Sequence, residues 1–216
     1  MKHWVFDLDG TLVDSHTVYF QTLDSLFTRF GLAPARIDRE QARKLFGKDF
    51  LRLYFEEKHL EEAYEHLVDL NTERAHEVRV FDGILDLLEK INSQGARISV
   101  WTGRDGPSAK ETLLRTGIQK HLSHFKSCTC VANNKPHPEG LLAIMQEAAS
   151  HHDEVVMIGD THFDIDGARS AQVKAVGVSW NDPATADHLK EIADHHFHSV
   201  ADLSEWSKPL LGAIRK

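Results

Sequence analysis

Asp7 and Asp9 stand two residues apart at the end of the run His3-Trp4-Val5-Phe6, and Gly10 follows directly. Residues two apart on a strand face the same way, and a glycine lets the backbone turn sharply after them. The pattern sets two carboxylates side by side at the mouth of a sheet. Like charges that close repel unless a cation lies between them. Oxygen-only ligands of this kind suit Mg²⁺, which takes one or two carboxylates and completes its shell with water and substrate phosphate. Taken alone, the same residues also describe a strand ending in a solvated turn, so other groups must decide.

Three further polar groups follow later apolar runs: Thr102-Gly103-Arg104, then Asn134-Lys135-Pro136, then Gly159-Asp160 through Asp164. Ligands of open parallel sheets bind outside the carboxyl ends of the strands, so these groups belong with Asp7 and Asp9. Together they suit phosphoryl transfer. A carboxylate can attack phosphorus and form an acyl-phosphate. A divalent cation offsets the repulsion between that carboxylate and an anionic phosphate. A lysine and a hydroxyl can hold the phosphoryl oxygens in the transition state. A second carboxylate can protonate the leaving oxygen and then activate water.

The elements that must position these groups read as follows. A buried strand over His3 to Leu8 is followed by helices only. The first starts after a predicted N-cap at Ser15, the second after Asp38, the third after Asp49, and the fourth runs from about Leu60 to Val78. From Phe81 the texture changes to alternation. Helices over 83–94, 107–116, 138–149 and 162–171 separate strands at Arg97–Trp101, Phe125–Val131, Glu154–Ile158 and Lys174–Val178. Such alternation predicts a mainly parallel sheet with helices on both faces. Residues 183–216 suggest a short helix, a strand near His196–His198 and a last helix from Val200. The expected organisation is a discontinuous α/β core, 1–14 and 80–216, with an inserted all-helical block, 15–79.

Composition sets outer bounds. The chain has 216 residues and a net charge of −8, against the basic face that a nucleic-acid partner usually requires. No stretch approaches the ~20 apolar residues that span a bilayer, and no apolar signal core begins the chain. A cytoplasmic location is expected. Cys128 and Cys130 fit neither a disulfide framework nor a zinc pattern and are expected to be buried thiols. Most of the 15 histidines are expected at the surface. Oligomeric state is not readable.

Asp7-Leu8-Asp9-Gly10-Thr11-Leu12-Val13-Asp14-Ser15 resembles the first motif of the haloacid dehalogenase-like hydrolase superfamily. Thr102, Lys135 and Gly159-Asp160 through Asp164 match its second, third and fourth motifs in order. The resemblance spans essentially the whole chain, and the helical block lies where that superfamily inserts its C1 cap. It implies a Rossmann-like doubly wound core and an Mg²⁺-dependent phosphatase acting on a small phosphorylated metabolite. Asp7 is then nucleophile and metal ligand, and Asp9 is general acid/base with its carbonyl on the metal. Thr102 and Lys135 bind phosphate, with Gly10, Gly103 and Asp9 beside them. Asp160 is a metal ligand. Asp164 is either a further acid at the metal or an orienting partner for Lys135. Arg104 departs from the motif's usual Asn or Ser continuation and either touches substrate or is solvated. Lys48, between helices of the block, either contacts the substrate's distal group or is solvated.

The chain looks like phosphoglycolate-phosphatase-type proteins, and nucleotides, sugar phosphates and pyrophosphate stay open as substrates. A phosphomutase of the β-phosphoglucomutase type shares all four motifs and the cap. A non-catalytic phosphometabolite-binding module is the alternative of a different class. A dehalogenase is disfavoured by the presence of Asp9, and a receiver-like signalling domain by the inserted block.

Overall fold

The computed structural model describes residues 1–45 and 47–212, so residues 213–216, assigned above to the core, lie outside the described residues. Strand β1 (His3–Phe6) leads through a tight turn to β2 (Val13–Asp14). Four helices follow: α1 (His16–Arg29), α2 (Arg39–Lys44), α3 (Gly47–Leu51) and α4 (Glu57–Glu73). The chain returns through β3 (Arg79–Val80), antiparallel to β2 with Asp14 opposite Arg79. Alternation then sets in with α5 (Ile84–Ser93), β4 (Arg97–Trp101), α6 (Gly106–Arg115), β5 (His124–Lys126) and α7 (Glu139–Glu147). It continues with β6 (Val155–Gly159), α8 (His162–Ser170), β7 (Lys174–Val178), α9 (Ala186–Ile192), β8 (His195–Phe197) and α10 (Val200–Gly212).

The main sheet runs β5-β4-β1-β6-β7-β8, every neighbouring pair parallel. This is the doubly wound order, with the direction of winding reversing beside β1. β1 is central, and His3 faces Arg97 on one side and Val155 on the other. Alternate side chains feed two cores, as the period of two requires. Trp4, Phe6, Ile98, Val100, Val156 and Ile158 pack on one face with α5, α6 and α10. Val5, Trp101, Val155 and Met157 pack on the other with α7, α8 and α9. Both faces are covered, which is why the strands read as near-continuous apolar runs. Truncating a fully buried aromatic such as Trp4 or Phe6 to alanine would cost about 3–5 kcal/mol.

The helices between β2 and β3 bury a separate cluster that includes Leu23, Leu26, Phe27, Phe50, Leu51 and Leu67. Edge-to-face contacts of Phe27 with Tyr54 and of Phe30 with Phe55 fix how α1 meets the segment after α3. α4 also packs on α6 of the sheet layer.

Several expectations change in detail. Asp38 does cap α2, accepting from the Gln41 backbone N–H at 3.0 Å. Asp49 caps nothing, because α3 begins two residues earlier at Gly47. The strand expected to reach Val131 stops at Lys126. There the Ser127 hydroxyl engages Thr129 Oγ1 and Cys130 Sγ, and a short 3₁₀ turn forms instead. That turn leaves Cys128 half-buried and Cys130 exposed, contrary to the expectation of two buried thiols. Among the histidines, His3 and His121 are buried. No helix is long and apolar enough to cross a membrane among the described residues.

Candidate active site

The turn after β1 builds the first half of the site. The Asp7 backbone N–H donates to Ile158 O at 2.8 Å, so the residue is still held by the ladder when its side chain reaches the sheet's end. Gly10, at φ +80°, then swings the chain round against β6. A Cβ there would stand 2.1 Å from Asp160 Oδ2, so a side chain cannot replace the glycine without displacing that carboxylate. Thr11 donates its hydroxyl to Asp160 Oδ1 at 3.1 Å, tying the turn to the end of β6.

Three carboxylates converge: Asp7, Asp160 and Asp164 each offer an oxygen within 4.8 Å of the others, and all three are buried. Lys135 joins two of them, with Nζ 2.7 Å from Asp7 Oδ1 and 2.6 Å from Asp164 Oδ1. Its ammonium also lies 4.7 Å from the centre of the Trp101 ring, a cation–π contact. Trp101 can sit beneath it because α8 carries Gly167 where a Cβ would come within 2.5 Å of the indole.

The electrostatics follow from burial and crowding. Desolvation, with the charges of Asp164 and Asp9, pushes the Asp7 carboxyl up, and Lys135 offsets this only in part. Asp160 is pushed well up by burial, then by Asp7 and Asp164. Burial alone would pull Lys135 down, yet Asp164 and Asp7 outweigh it and hold the ammonium above its ordinary value. Only Lys135 touches this acid cluster as a cation, and Asp160 takes no ion pair among the described residues. Buried carboxylates left short of positive charge call for a cation, and an oxygen-only donor set fits a hard divalent ion such as Mg²⁺.

Asp164 has both oxygens engaged. Oδ1 takes Lys135, while Oδ2 accepts from the Thr161 backbone N–H at 3.1 Å and from its hydroxyl at 2.7 Å. The second set is a capping box at the start of α8. Thr102, buried at the end of β4, is held by its N–H on Lys126 O. Its Oγ1 accepts from the Arg104 N–H at 3.0 Å, which leaves the hydroxyl proton to be given to a ligand.

Two relationships were not readable in advance. Ser15 does precede α1, but its side chain caps nothing; its hydroxyl donates instead to Asp9 Oδ1 at 2.5 Å. Arg104 is not solvated. Its guanidinium grips the Asp9 carboxylate with two donors, Nη2 to Oδ1 and Nε to Oδ2 at 3.0 Å. Burial would raise the Asp9 carboxyl, but Arg104 and Ser15 outweigh it and hold it below the usual carboxylate range.

Asp7, Asp9, Ser15, Thr102, Arg104, Lys135, Asp160, Thr161 and Asp164 face one cavity of about 130 Å³. Gly10, expected beside the phosphate, is not in its lining and spends its N–H on Val13 O at 2.9 Å. Gly103 and Asp105 complete its floor. Its roof is formed by the helical block through Tyr19, Phe20, Tyr64, Leu67 and Asn71. These roof residues escaped the sequence because their helical spacing resembles ordinary core periodicity. Lys48 is not in the lining; its ammonium is drawn away to Glu61 Oε2 at 2.5 Å and lies 5.0 Å from the Tyr64 ring centre. Its neighbour Gly47 reaches the cavity instead.

Comparison with known proteins gives concordant results. The family profile described as haloacid dehalogenase-like hydrolase matches residues 4–178. A pyrophosphatase PpaX from Oceanobacillus iheyensis is 27% identical over 208 residues, covering 93% of this chain and 92% of its own. A phosphoglycolate phosphatase from Agrobacterium fabrum is 27% identical over 185 residues, covering 82% of this chain and 79% of its own. Among solved structures, a putative phosphoglycolate phosphatase from Lactobacillus plantarum superposes with a TM-score of 0.82 at 20% identity, over 94% of this chain and 98% of that one.

Proposed function

This chain belongs to the haloacid dehalogenase-like hydrolase family, and from that premise we propose that it is a phosphatase for a small phosphorylated metabolite, dependent on Mg²⁺ and working through an aspartyl-phosphate on Asp7. The observation that carries this reading is the convergence of Lys135 with three buried carboxylates at the end of β1. Asp7, Asp160 and Asp164, with the Asp9 carbonyl, are the groups that would hold the cation. When bound, it neutralises charge between Asp7 and the phosphoryl oxygens.

The residues divide the work as follows. Lys135, the Thr102 hydroxyl and the Gly103 backbone hold the phosphoryl oxygens. An oxygen of Asp7 bonds to phosphorus while the bond to the leaving oxygen breaks, and that oxygen takes the proton of the Asp9 carboxyl, which must be protonated for this step although Arg104 and Ser15 hold it ionised in the free protein. Asp9 then takes a proton from water, whose oxygen attacks phosphorus. The bond to Asp7 breaks, returning the carboxylate and releasing inorganic phosphate. Residues 15–79 serve as a cap over the core, a reading supported by Tyr19, Tyr64 and Asn71 lining the same cavity as the acids. Closing that cap would exclude water from the transfer step.

Phosphoglycolate and pyrophosphate are the first candidate substrates, on the names of the two sequence relatives. The test is a phosphate-release screen over a metabolite panel with Mg²⁺ and with chelator. Metal-dependent release from several compounds supports the phosphatase. Isomerisation of a sugar phosphate without release would make the chain a phosphomutase, and tight binding without turnover would make it a binding module.

A further inference from the structure

The grip of Arg104 on Asp9 lies where a leaving group must sit. Whatever oxygen Asp9 protonates has to approach its carboxylate, and that carboxylate is already held by Nε and Nη2 of Arg104. A substituent on the leaving oxygen therefore lies beside the guanidinium. The neighbourhood is otherwise poor in positive charge. Among the described residues lining the cavity, Arg104 and Lys135 are the only Lys or Arg, and Lys135 is committed to Asp7 and Asp164. The helical block contributes aromatic and apolar side chains, the Asn71 amide, the Ser15 hydroxyl and the His16 imidazole. Lys48 does not reach the lining.

Arg104 is also mounted so that its side chain can change partner while its backbone stays fixed. Its N–H donates to Thr102 Oγ1 at 3.0 Å, and its carbonyl accepts from the Cys128 N–H at 3.2 Å. The remaining side-chain contact, Nη1 to Thr112 Oγ1, is long at 3.3 Å. A planar guanidinium fork suits a carboxylate and a phosphoryl group equally well, two oxygens at a time. The Ser15 hydroxyl gives Asp9 Oδ1 a second hydrogen bond that does not depend on Arg104.

Resting on the phosphatase reading above, we propose that Arg104 selects the leaving group. It holds Asp9 in the free enzyme and transfers to an anionic substituent of the bound substrate, a carboxylate or second phosphoryl group carried close to the leaving oxygen. Substrates with such a group both bind the fork and free Asp9 to meet the leaving oxygen. Substrates with a neutral leaving group leave the fork on Asp9. The preferred class is thus small phosphate esters or anhydrides whose leaving group is itself an anion.

The experiment compares kcat/KM of the wild type, Arg104→Gln and Arg104→Lys on phosphoglycolate, pyrophosphate and phenyl phosphate with Mg²⁺, after circular dichroism confirms folding. Losing a charged hydrogen-bond pair makes the expected fall for the two anionic substrates roughly 10–100-fold greater than for phenyl phosphate. Arg104→Lys should fall between, since an ammonium keeps the charge and loses the fork. A residue that merely positions Asp9 would instead lower all three substrates by one common factor, in either variant, and that result overturns the proposal while leaving the phosphatase reading intact. A wild type that prefers phenyl phosphate overturns it equally. A wild type that hydrolyses none of the three overturns the proposal, and the phosphatase reading is then decided separately by release from the metabolite panel.

Discussion

One oxygen of Asp164 takes the Lys135 ammonium at 2.6 Å, and the other closes the first turn of α8 through Thr161. A single carboxylate thus couples the start of a helix to the ammonium that also holds Asp7. Asp164→Ala should therefore show two separable losses. Losing the cap should cost about 1 kcal/mol of stability, read in urea unfolding. Lys135, left with Asp7 alone, should misplace the phosphoryl group and lower kcat by roughly 10²-fold for every substrate. A variant that loses stability but keeps kcat would show that Asp164 serves the helix only.

Asp7→Asn should stop phosphate release, because an amide cannot attack phosphorus to give the acyl-phosphate. Intact-protein mass spectrometry after an acid quench should show a phosphorylated species in the wild type and none in the variant. Turnover near the wild-type rate, with deamidation excluded, would falsify the assignment of the nucleophile.

The acid cluster makes a prediction that needs no turnover. Mg²⁺ added to metal-free protein should raise its melting temperature, since ligand at a hundred times its Kd adds about 2.7 kcal/mol. In a chain of this size each kcal/mol is worth about 2–4 °C. Asp160→Asn removes one buried, crowded charge, so the metal-free variant should melt no lower than the wild type, while the rise with Mg²⁺ shrinks. An undiminished rise in the variant would remove Asp160 from the ligand set.

His3 sets an acid limit on stability. Its ring is buried, with Nε2 2.7 Å from Ser99 Oγ and Nδ1 2.9 Å from Ser150 Oγ. Burial, then the charges of Arg97 and His124, pulls its pKa down to about 4. A base harder to protonate folded than unfolded contributes stability that is complete above its unfolded pKa of about 6.5 and is lost as pH falls toward 4. The amount at stake is roughly 3 kcal/mol. His3→Gln should flatten that part of the stability profile in urea titrations at pH 7, 5.5 and 4.5. Parallel profiles for the two proteins would mean that other groups carry the acid sensitivity.

Lys48→Ala should change kcat/KM by less than about twofold on any substrate, as expected for an exposed pair with Glu61 worth about 0–1 kcal/mol. A selective rise in KM for substrates with a second anionic group would return Lys48 to the substrate site.

The parts of this molecule that could be read from sequence are those encoded locally. The apolar runs that became β1, β4, β6 and β7 are short, dense and stopped by glycine or polar turns, and the first three each led to a group at the site. Thr161 and Asp164 stand at capping-box spacing, which local rules also recognise. The end of β5 was misplaced because Cys128, Cys130 and Val131 look apolar, while the hydroxyls of Ser127 and Thr129 turn the backbone. The Asp9–Arg104 grip joins the ends of two neighbouring strands that are remote in sequence, and no spacing rule encodes such a contact. Ser15 satisfied the local rule for a cap and was claimed by a stronger acceptor across the turn.

The central place of β1 also bears on how the chain is made. Its partners on either side, β4 and β6, begin at Arg97 and Val155, with the whole helical block synthesised in between. At a translation rate of roughly 5–20 residues per second, Trp4, Val5 and Phe6 wait several seconds for β4 and longer for β6. The helical block, built from local contacts, can form meanwhile. The strand that leads into Asp7 is thus an early, sticky segment of the nascent chain and one of the last to be sealed, and chaperone capture on the ribosome should concentrate there.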